Sequence, residues 1–329
     1  MDRLSAHLDR GWDLAQKGDA DGAVACAKRA LESDPESPEV HNLLGYATAL
    51  AGDAEEAVEH YRQAIALDEN YFEAMLNAAE LLVSPLEEHD EAIALVEEAL
   101  EVAENPEEVT DCLLLKADAL VAKGEREEVA KVLRRIPKEA LENANYGFLA
   151  GRAWFEAGDL KEAAPLLEAA VTKDPAYGDA HYYIGMLAEA RGDTQGAVEA
   201  FLRTRVVDLN TAAPPWAPLP DTFGNQLRKV LEALDPALAQ FIHGAEVYIV
   251  DLPGAEVIVD GVDPRASVLV ETPAERPVRL FVYQRNVERA SGALSAIEEE
   301  LAFTIEREIT SVFVEGEPVS GPVDKSQLN

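Results

Sequence analysis

The sequence predicts a mainly α protein in two parts, a solenoid of helical hairpins followed by a small α+β domain. Three observations carry this. A pattern of small and large residues recurs about every 34 residues over the first two thirds of the chain. The composition is rich in alanine, leucine and glutamate, which favour short packed helices. After Leu209 the repeat stops, and β-branched runs separated by proline and glycine take its place. A fixed period of this length means stacking, because one hairpin cannot bury its own apolar face.

The clearest unit is residues 181–209. Gly185 lies where a first helix must approach its neighbour closely, Gly192-Asp193 makes the turn, and Ala197, Phe201 and Thr204 form the inner face of a second helix. The same pattern occurs as Gly151, Gly158-Asp159, Ala163, Leu167 and Ala170, and as Gly45, Gly52-Asp53, Ala57, Tyr61 and Ala64. It resembles the tetratricopeptide repeat. On that resemblance six copies run over residues 4–35, 38–69, 72–106, 110–137, 144–175 and 178–209. The third carries an insertion at residues 84–88, and the fourth has Ala117, Val129 and Ile136 at the glycine and alanine positions.

The resemblance implies a right-handed superhelix whose first helices line a concave groove for a partner peptide. The register puts Leu8, Trp12, Asn42, Tyr46, Leu76, Glu80, Leu114, Asp118, Phe148, Arg152, Tyr182 and Met186 on that lining, an aromatic, aliphatic and acidic surface suited to a hydrophobic or basic segment. Ordinary packing between adjacent hairpins is the competing account of Trp12, Tyr46 and Tyr182. Family members that grip a C-terminal carboxylate use a lysine-asparagine-lysine-arginine clamp. Only Asn42, Asn77 and Arg152 are similar to it, so no such clamp is expected.

Among 329 residues, 63 are Asp or Glu and 28 are Lys or Arg, a net charge of −35. That balance argues against binding a nucleic-acid backbone or anionic lipid. It suits either solubility alone or faster association with basic partners. Cys26 and Cys112 read as reduced core thiols. The first residues lack the apolar run of a secretory signal, and no window reaches the roughly 20 apolar residues of a membrane span. The expected location is cytoplasmic.

Residues 1–210 read as the solenoid, 211–222 as a proline-rich connector, 223–318 as the second domain and 319–329 as a flexible tail. Trp216 in the connector reads as a packing anchor for the last repeat or as part of a partner site. In the second domain, residues 225–242 have the apolar spacing of one helix, with Leu227, Val230, Leu231, Leu234, Leu238 and Phe241 on one side. Strands are expected at 246–250, 256–259, 267–271 and 278–283. A closing helix carries Leu294, Ile297, Leu301, Ile305, Ile309 and Phe313.

The stretches LRKVLEALDPALAQFIHGAEVYIVD, VRLFVYQRNVER and LSAIEEELAFTIEREITSVFVEGE together resemble the minimal zincin-like metallopeptidase domain of bacteria. In that family the last helix carries HExxH, two imidazoles one turn apart for zinc and a glutamate to deprotonate the bound water. Here the frame falls on Arg307, Glu308 and Ser311, with Glu317 at the downstream acidic position. Arginine keeps its proton and serine is a poor zinc ligand, so neither metal nor cofactor is expected. The six histidines, His7, His41, His60, His89, His181 and His243, offer no helical ligand pair. The sequence therefore reads as a non-catalytic interaction scaffold with an inactive peptidase-like module. The alternatives are a hydrolase with rearranged chemistry on Glu308 and Glu317, or a domain that only caps the last repeat.

Overall fold

The computed structural model describes residues 3–274 and 277–315. The chain falls into two compact units, residues 1–173 and 174–329. The first unit holds five hairpins. They are α1 (Arg3–Gln16) with α2 (Ala20–Ser33), α3 (Pro38–Leu50) with α4 (Ala54–Leu67), α5 (Phe72–Val83) with α6 (His89–Val102), α7 (Pro106–Ala122) with α8 (Arg126–Leu133), and α9 (Ala144–Glu156) with α10 (Leu160–Lys173).

The Gly-Asp pair explains why each hairpin turns where it does. Gly52 takes φ 94°, a left-handed conformation closed to most side chains, and Asp53 then caps α4 by accepting the Glu56 N–H at 3.1 Å. Gly18-Asp19 repeats the device, with the Gly22 N–H at 2.9 Å. Where the pair is missing the side-chain cap is lost. Hairpin three uses residues 84–88, with a cis Ser84–Pro85 bond and Glu87 at φ 57°, and α6 starts without a side-chain cap. Hairpin four puts Glu125 after Gly124, gains no cap, and has an α8 of only eight residues.

Inside a hairpin the helices meet closely at one glycine. A Cβ on Gly45 would lie 2.6 Å from the Tyr61 ring, so Tyr61 fills the space that glycine leaves. Between hairpins, apolar clusters join the second helix of one to the first of the next. Ala27 and Ala30 meet Val40, Leu43 and Leu44, and Ala57, Tyr61 and Ala64 meet Ala74 and Ala78. Cys26 and Cys112 are free and buried. Burial pushes the Cys112 thiol up to about 12.

The second unit opens with the sixth hairpin, α11 (Gly178–Ala190) and α12 (Thr194–Asn210). It continues with α13 (Pro220–Ala233), α14 (Pro236–Ala239), β1 (Glu246–Val250), α15 (Ala255–Val259), β2 (Val268–Glu271), β3 (Arg279–Tyr283), α16 (Gln284–Ser291) and α17 (Ile297–Thr310), which ends in a π-helical turn over Ser311–Glu315. The sheet order is β1-β3-β2. β1 runs parallel to β3 with Tyr248 beside Phe281, and β2 runs antiparallel to it with Val268 beside Val282. The core joins Phe223, Leu227 and Val230 of α13, Leu280 and Val282 of β3, and Ile297, Leu301, Ile305 and Ile309 of α17.

Four expectations for this unit are corrected. The helix expected over 225–242 begins at Pro220 and stops at Ala233. Leu234 and Asp235 are extended before Pro236, which disfavours the helical conformation in the residue preceding it. The run 256–259 is the helix α15, not a strand, so the sheet has three strands among the described residues. Ile258, 1% exposed, is drawn into a cluster with Ala197 and Phe201, and burial outweighs β-propensity there. Trp216 packs against the core of α13, β3 and α17 and is not part of the apolar cluster around Ala197 and Phe201 of the last repeat. Leu294 lies in a 3₁₀ turn before α17 and is exposed.

Candidate functional site

The residues expected to line a groove in the first unit differ in their surroundings. Trp12 and Tyr46 form an aromatic pair, ring centroids 5.3 Å apart, with Trp12 half-buried and Tyr46 39% exposed. Leu8 and Leu76 are half-buried at the edges of core clusters, and Glu80 is exposed. Asn42 is buried and belongs to a polar bridge: its Nδ2 donates to the Tyr71 hydroxyl at 3.2 Å, and its Oδ1 accepts from Asn77 Nδ2 at 3.3 Å. Tyr71, the member absent from the sequence reading, follows the turn between hairpins two and three, three residues after Asp68, as Tyr177 follows Asp174.

Farther along, Leu114 and Phe148 are buried core residues. Arg152 donates from Nη2 to both carboxylate oxygens of Asp118 at 2.7 Å, a contact between equivalent positions of hairpins four and five. It lies 3.9 Å from Glu156 as well.

In the second unit, Tyr182 and Met186 pack with Ala197, Phe201 and Ile258. The Tyr182 hydroxyl donates to Asp263 Oδ2 at 2.8 Å, and the Arg265 guanidinium lies 4.6 Å above its ring. Burial pushes the carboxyl of Asp263 up and the phenol of Tyr182 up. The inner face of hairpin six is therefore covered by the segment that carries α15, and its two lining residues are already engaged.

The YQRNVER segment, residues 283–289, fastens the same hairpin. Arg285 donates to the carbonyls of Asp208, Leu209 and Thr211 at 2.8, 3.1 and 3.1 Å, where α12 leaves its last carbonyls unpaired. Asp208, 5% exposed, holds Arg289 at 2.8 Å and Arg265 at 3.3 Å, and Arg265 also meets Asp179 at 2.7 Å. Asn286 donates to the Pro264 and Ala266 carbonyls at 3.0 and 2.8 Å, fixing the loop that presents Arg265. Gly178 is required here: a Cβ would lie 2.8 Å from Asp208 Oδ1. The sequence signal for this clasp was the run of arginines, whose partners no local pattern revealed.

The residues compared with an HExxH frame, Arg307, Glu308 and Ser311, lie at the end of α17 and in the turn that follows it. Glu308 is 4% exposed and accepts the Val270 N–H at 3.3 Å. Burial pushes its carboxyl up to about 7, against the lowering influence of that hydrogen bond and of Arg307. Glu300, two turns earlier, is also raised by burial. Ser311 is buried. Arg307 lies 5.4 Å from the Phe303 ring centroid, and its Nε is buried without a hydrogen-bond partner among the described residues. Glu317 lies outside the described residues. The donor set does not fit a zinc ion: Arg307 and Ser311 offer a guanidinium and a hydroxyl, and no group of three His, Cys, Asp or Glu is gathered for a metal among the described residues.

No helix among the described residues is long and apolar enough to cross a membrane. A curated relative, the probable biofilm formation methyltransferase WspC of Pseudomonas putida, is 35% identical over 71 residues, which are 22% of this chain and 17% of that protein. PilW, a widely conserved type IV pilus biogenesis factor, is similar in structure at TM-score 0.56 and 19% identity, covering 62% of this chain and 92% of PilW. PilF of Pseudomonas aeruginosa is similar at TM-score 0.53 and 16% identity, covering 62% and 91%. At such identities these likenesses establish the fold alone. The tetratricopeptide repeat model matches residues 8–72, 51–109, 114–178 and 148–214, more than half of the sequence, and the chain belongs to the tetratricopeptide repeat family.

Proposed function

We propose that this protein is a non-catalytic interaction scaffold that holds an extended segment of another protein along the first helices of its early hairpins. The observation that carries the reading is the patch around Trp12 and Tyr46. Two rings stand 5.3 Å apart and partly open, and Glu80, on the first helix of the next hairpin, is exposed. An apolar patch edged by a carboxylate suits a segment that mixes large apolar side chains with Lys or Arg. The acidity of the chain adds long-range attraction for the same partners, and disfavours nucleic acid and anionic membranes.

The second unit, in this proposal, is a degenerate zincin-like module that covers hairpin six and does no chemistry. Arg307 and Ser311 stand where metal ligands are needed, and Glu308 is engaged with the β2 backbone. Two free, buried thiols fit a reducing, cytoplasmic setting. Selection from a displayed library of short peptides tests the groove. Binders should be enriched in aromatic and basic residues. Trp12→Ala with Tyr46→Ala should weaken them by about 30-fold, the 2 kcal/mol of an aromatic anchor, and on-rates should fall as salt rises. Unchanged affinity would move the site off this face. Stoichiometric zinc in the purified protein would instead support the hydrolase reading.

A further inference from the structure

The two edges of the small sheet are treated differently. At the outer edge of β2, Val268 and Val270 are buried, and the Val270 N–H is taken by Glu308. At β1 all five residues are exposed, with Val247, Tyr248, Ile249 and Val250 between 39% and 43%. Edge strands of monomers are ordinarily blunted by lysine, proline, a bulge or a covering element. The sequence Glu-Val-Tyr-Ile-Val has none of these.

The backbone of β1 is complementary to itself. The Glu246 N–H bonds to the Val278 carbonyl at 2.8 Å, so Glu246, Tyr248 and Val250 turn their backbone groups toward β3, while Val247 and Ile249 turn theirs outward. Those outward N–H groups have no backbone partner among the described residues. They lie symmetrically about Tyr248. We propose that β1 is a dimerisation edge, on which the β1 of a second copy pairs antiparallel about a two-fold axis through Tyr248. Val247 of each copy exchanges both backbone hydrogen bonds with Ile249 of the other, and the two Tyr248 residues face each other as a non-hydrogen-bonded pair with Cα atoms about 4.5 Å apart.

Side chains and charge agree with this occupant. Val247 and Ile249 share the face of Leu280 and Val282, which are fully buried, so a second copy extends the core layer where it now lies open. Tyr248 is on the other face, stacked on Phe281 at 5.1 Å. Although the chain carries −35, no like charges meet across the axis. Glu246, the one charged residue of the strand, lies 3.6 Å from Arg279 and falls opposite Val250 of the second copy. The paired edge is about 17 Å long, which places the contact at the small end of specific interfaces and makes the dimer concentration-dependent.

Full-length protein carrying Tyr248→Cys tests the register. Under mild oxidation by glutathione disulfide it should form a covalent dimer at least about tenfold faster than Val259→Cys, an exposed control on α15, because the two thiols meet at a distance a disulfide spans. Cys26 and Cys112 are buried and do not compete. The unmodified protein should shift toward twice its mass in sedimentation velocity as concentration rises, and Val247→Pro, which removes only an outward N–H, should abolish that shift. Cross-linking of Tyr248→Cys no faster than the control overturns the proposal, whether or not the unmodified protein dimerises elsewhere.

Discussion

Hairpins five and six have the same plan, yet their lining residues find partners in opposite directions along the chain. In hairpin five, Arg152 turns to Asp118, the equivalent position of the preceding hairpin, in a contact whose side chains are 27% and 33% exposed. In hairpin six, Tyr182 stands where Phe148 stands in five, and it bonds to Asp263, 81 residues later and outside every repeat. The charges that follow are buried: Arg265 is 14% exposed and Asp208 5%. An interior hairpin can be completed by a neighbour of its own period, whereas a terminal one needs a surface from elsewhere.

The largest effect should come from breaking the clasp on hairpin six. Asp208→Ala removes the buried carboxylate that holds Arg265 and Arg289; Arg265, 14% exposed, is left with Asp179 alone, and breaking a buried pair in this way costs up to about 3–5 kcal/mol. With Trp12 and Trp154 replaced by phenylalanine, Trp216 reports on the second unit, and its urea transition should move to lower concentration. A transition unchanged by Asp208→Ala would mean that hairpin six does not fold with the residues that follow it.

The second effect depends on pH. Glu308 has a carboxyl raised to about 7 in the folded protein, against about 4.3 in an unfolded chain. Between those values the folded state binds more protons, so stability declines as pH rises. The contribution is fully present below about pH 4.3, is lost progressively up to about 7, and stays lost above. It amounts to about 4 kcal/mol. Glu308→Gln, which cannot ionise, should be the more stable protein above pH 7 by most of that amount. The difference between the two proteins, followed by the same Trp216 transition, should close as pH falls to 4. A difference that does not vary with pH would mean that burial beside the Val270 N–H does not raise the Glu308 carboxyl.

The sequence made the repeats legible because their signals are local. A glycine with positive φ, an aspartate cap and an alanine face all lie within one hairpin, as at Gly52, Asp53 and Ala57. The lining was less legible. Periodicity put Phe148 and Tyr46 on one list, but Phe148 is core and Tyr46 is open, and that difference is set by what stacks on each helix. In the second unit, partners far apart in sequence decide the outcome. Val257, Ile258 and Val259 have strand propensity and form a helix, because Ile258 is buried against Phe201. Arg285 and Arg289 belong to a stretch quoted only for its resemblance to a peptidase family, yet their partners are the end of α12.

The smallest effect tests the other half of the comparison. Arg152 and Asp118 lie near the surface, so water screens their charges and both side chains lose freedom to hold one geometry. Nη2 reaches both oxygens, but from a single nitrogen and not as a two-pronged fork. Phe148 and Trp154, on the same helix, are buried in their own right and keep α9 docked without the ion pair. A double-mutant cycle of Arg152→Ala and Asp118→Ala, read by Trp154 fluorescence during urea unfolding, should give a coupling of about 0.2–1 kcal/mol. It should shrink further at high salt. The equivalent cycle of Arg265 with Asp208 should couple more strongly and respond less to salt, because both groups are buried. Equal couplings would mean that the terminal hairpin is tied no harder than the interior one, and that the charges around Asp208 are not what completes the end of the array.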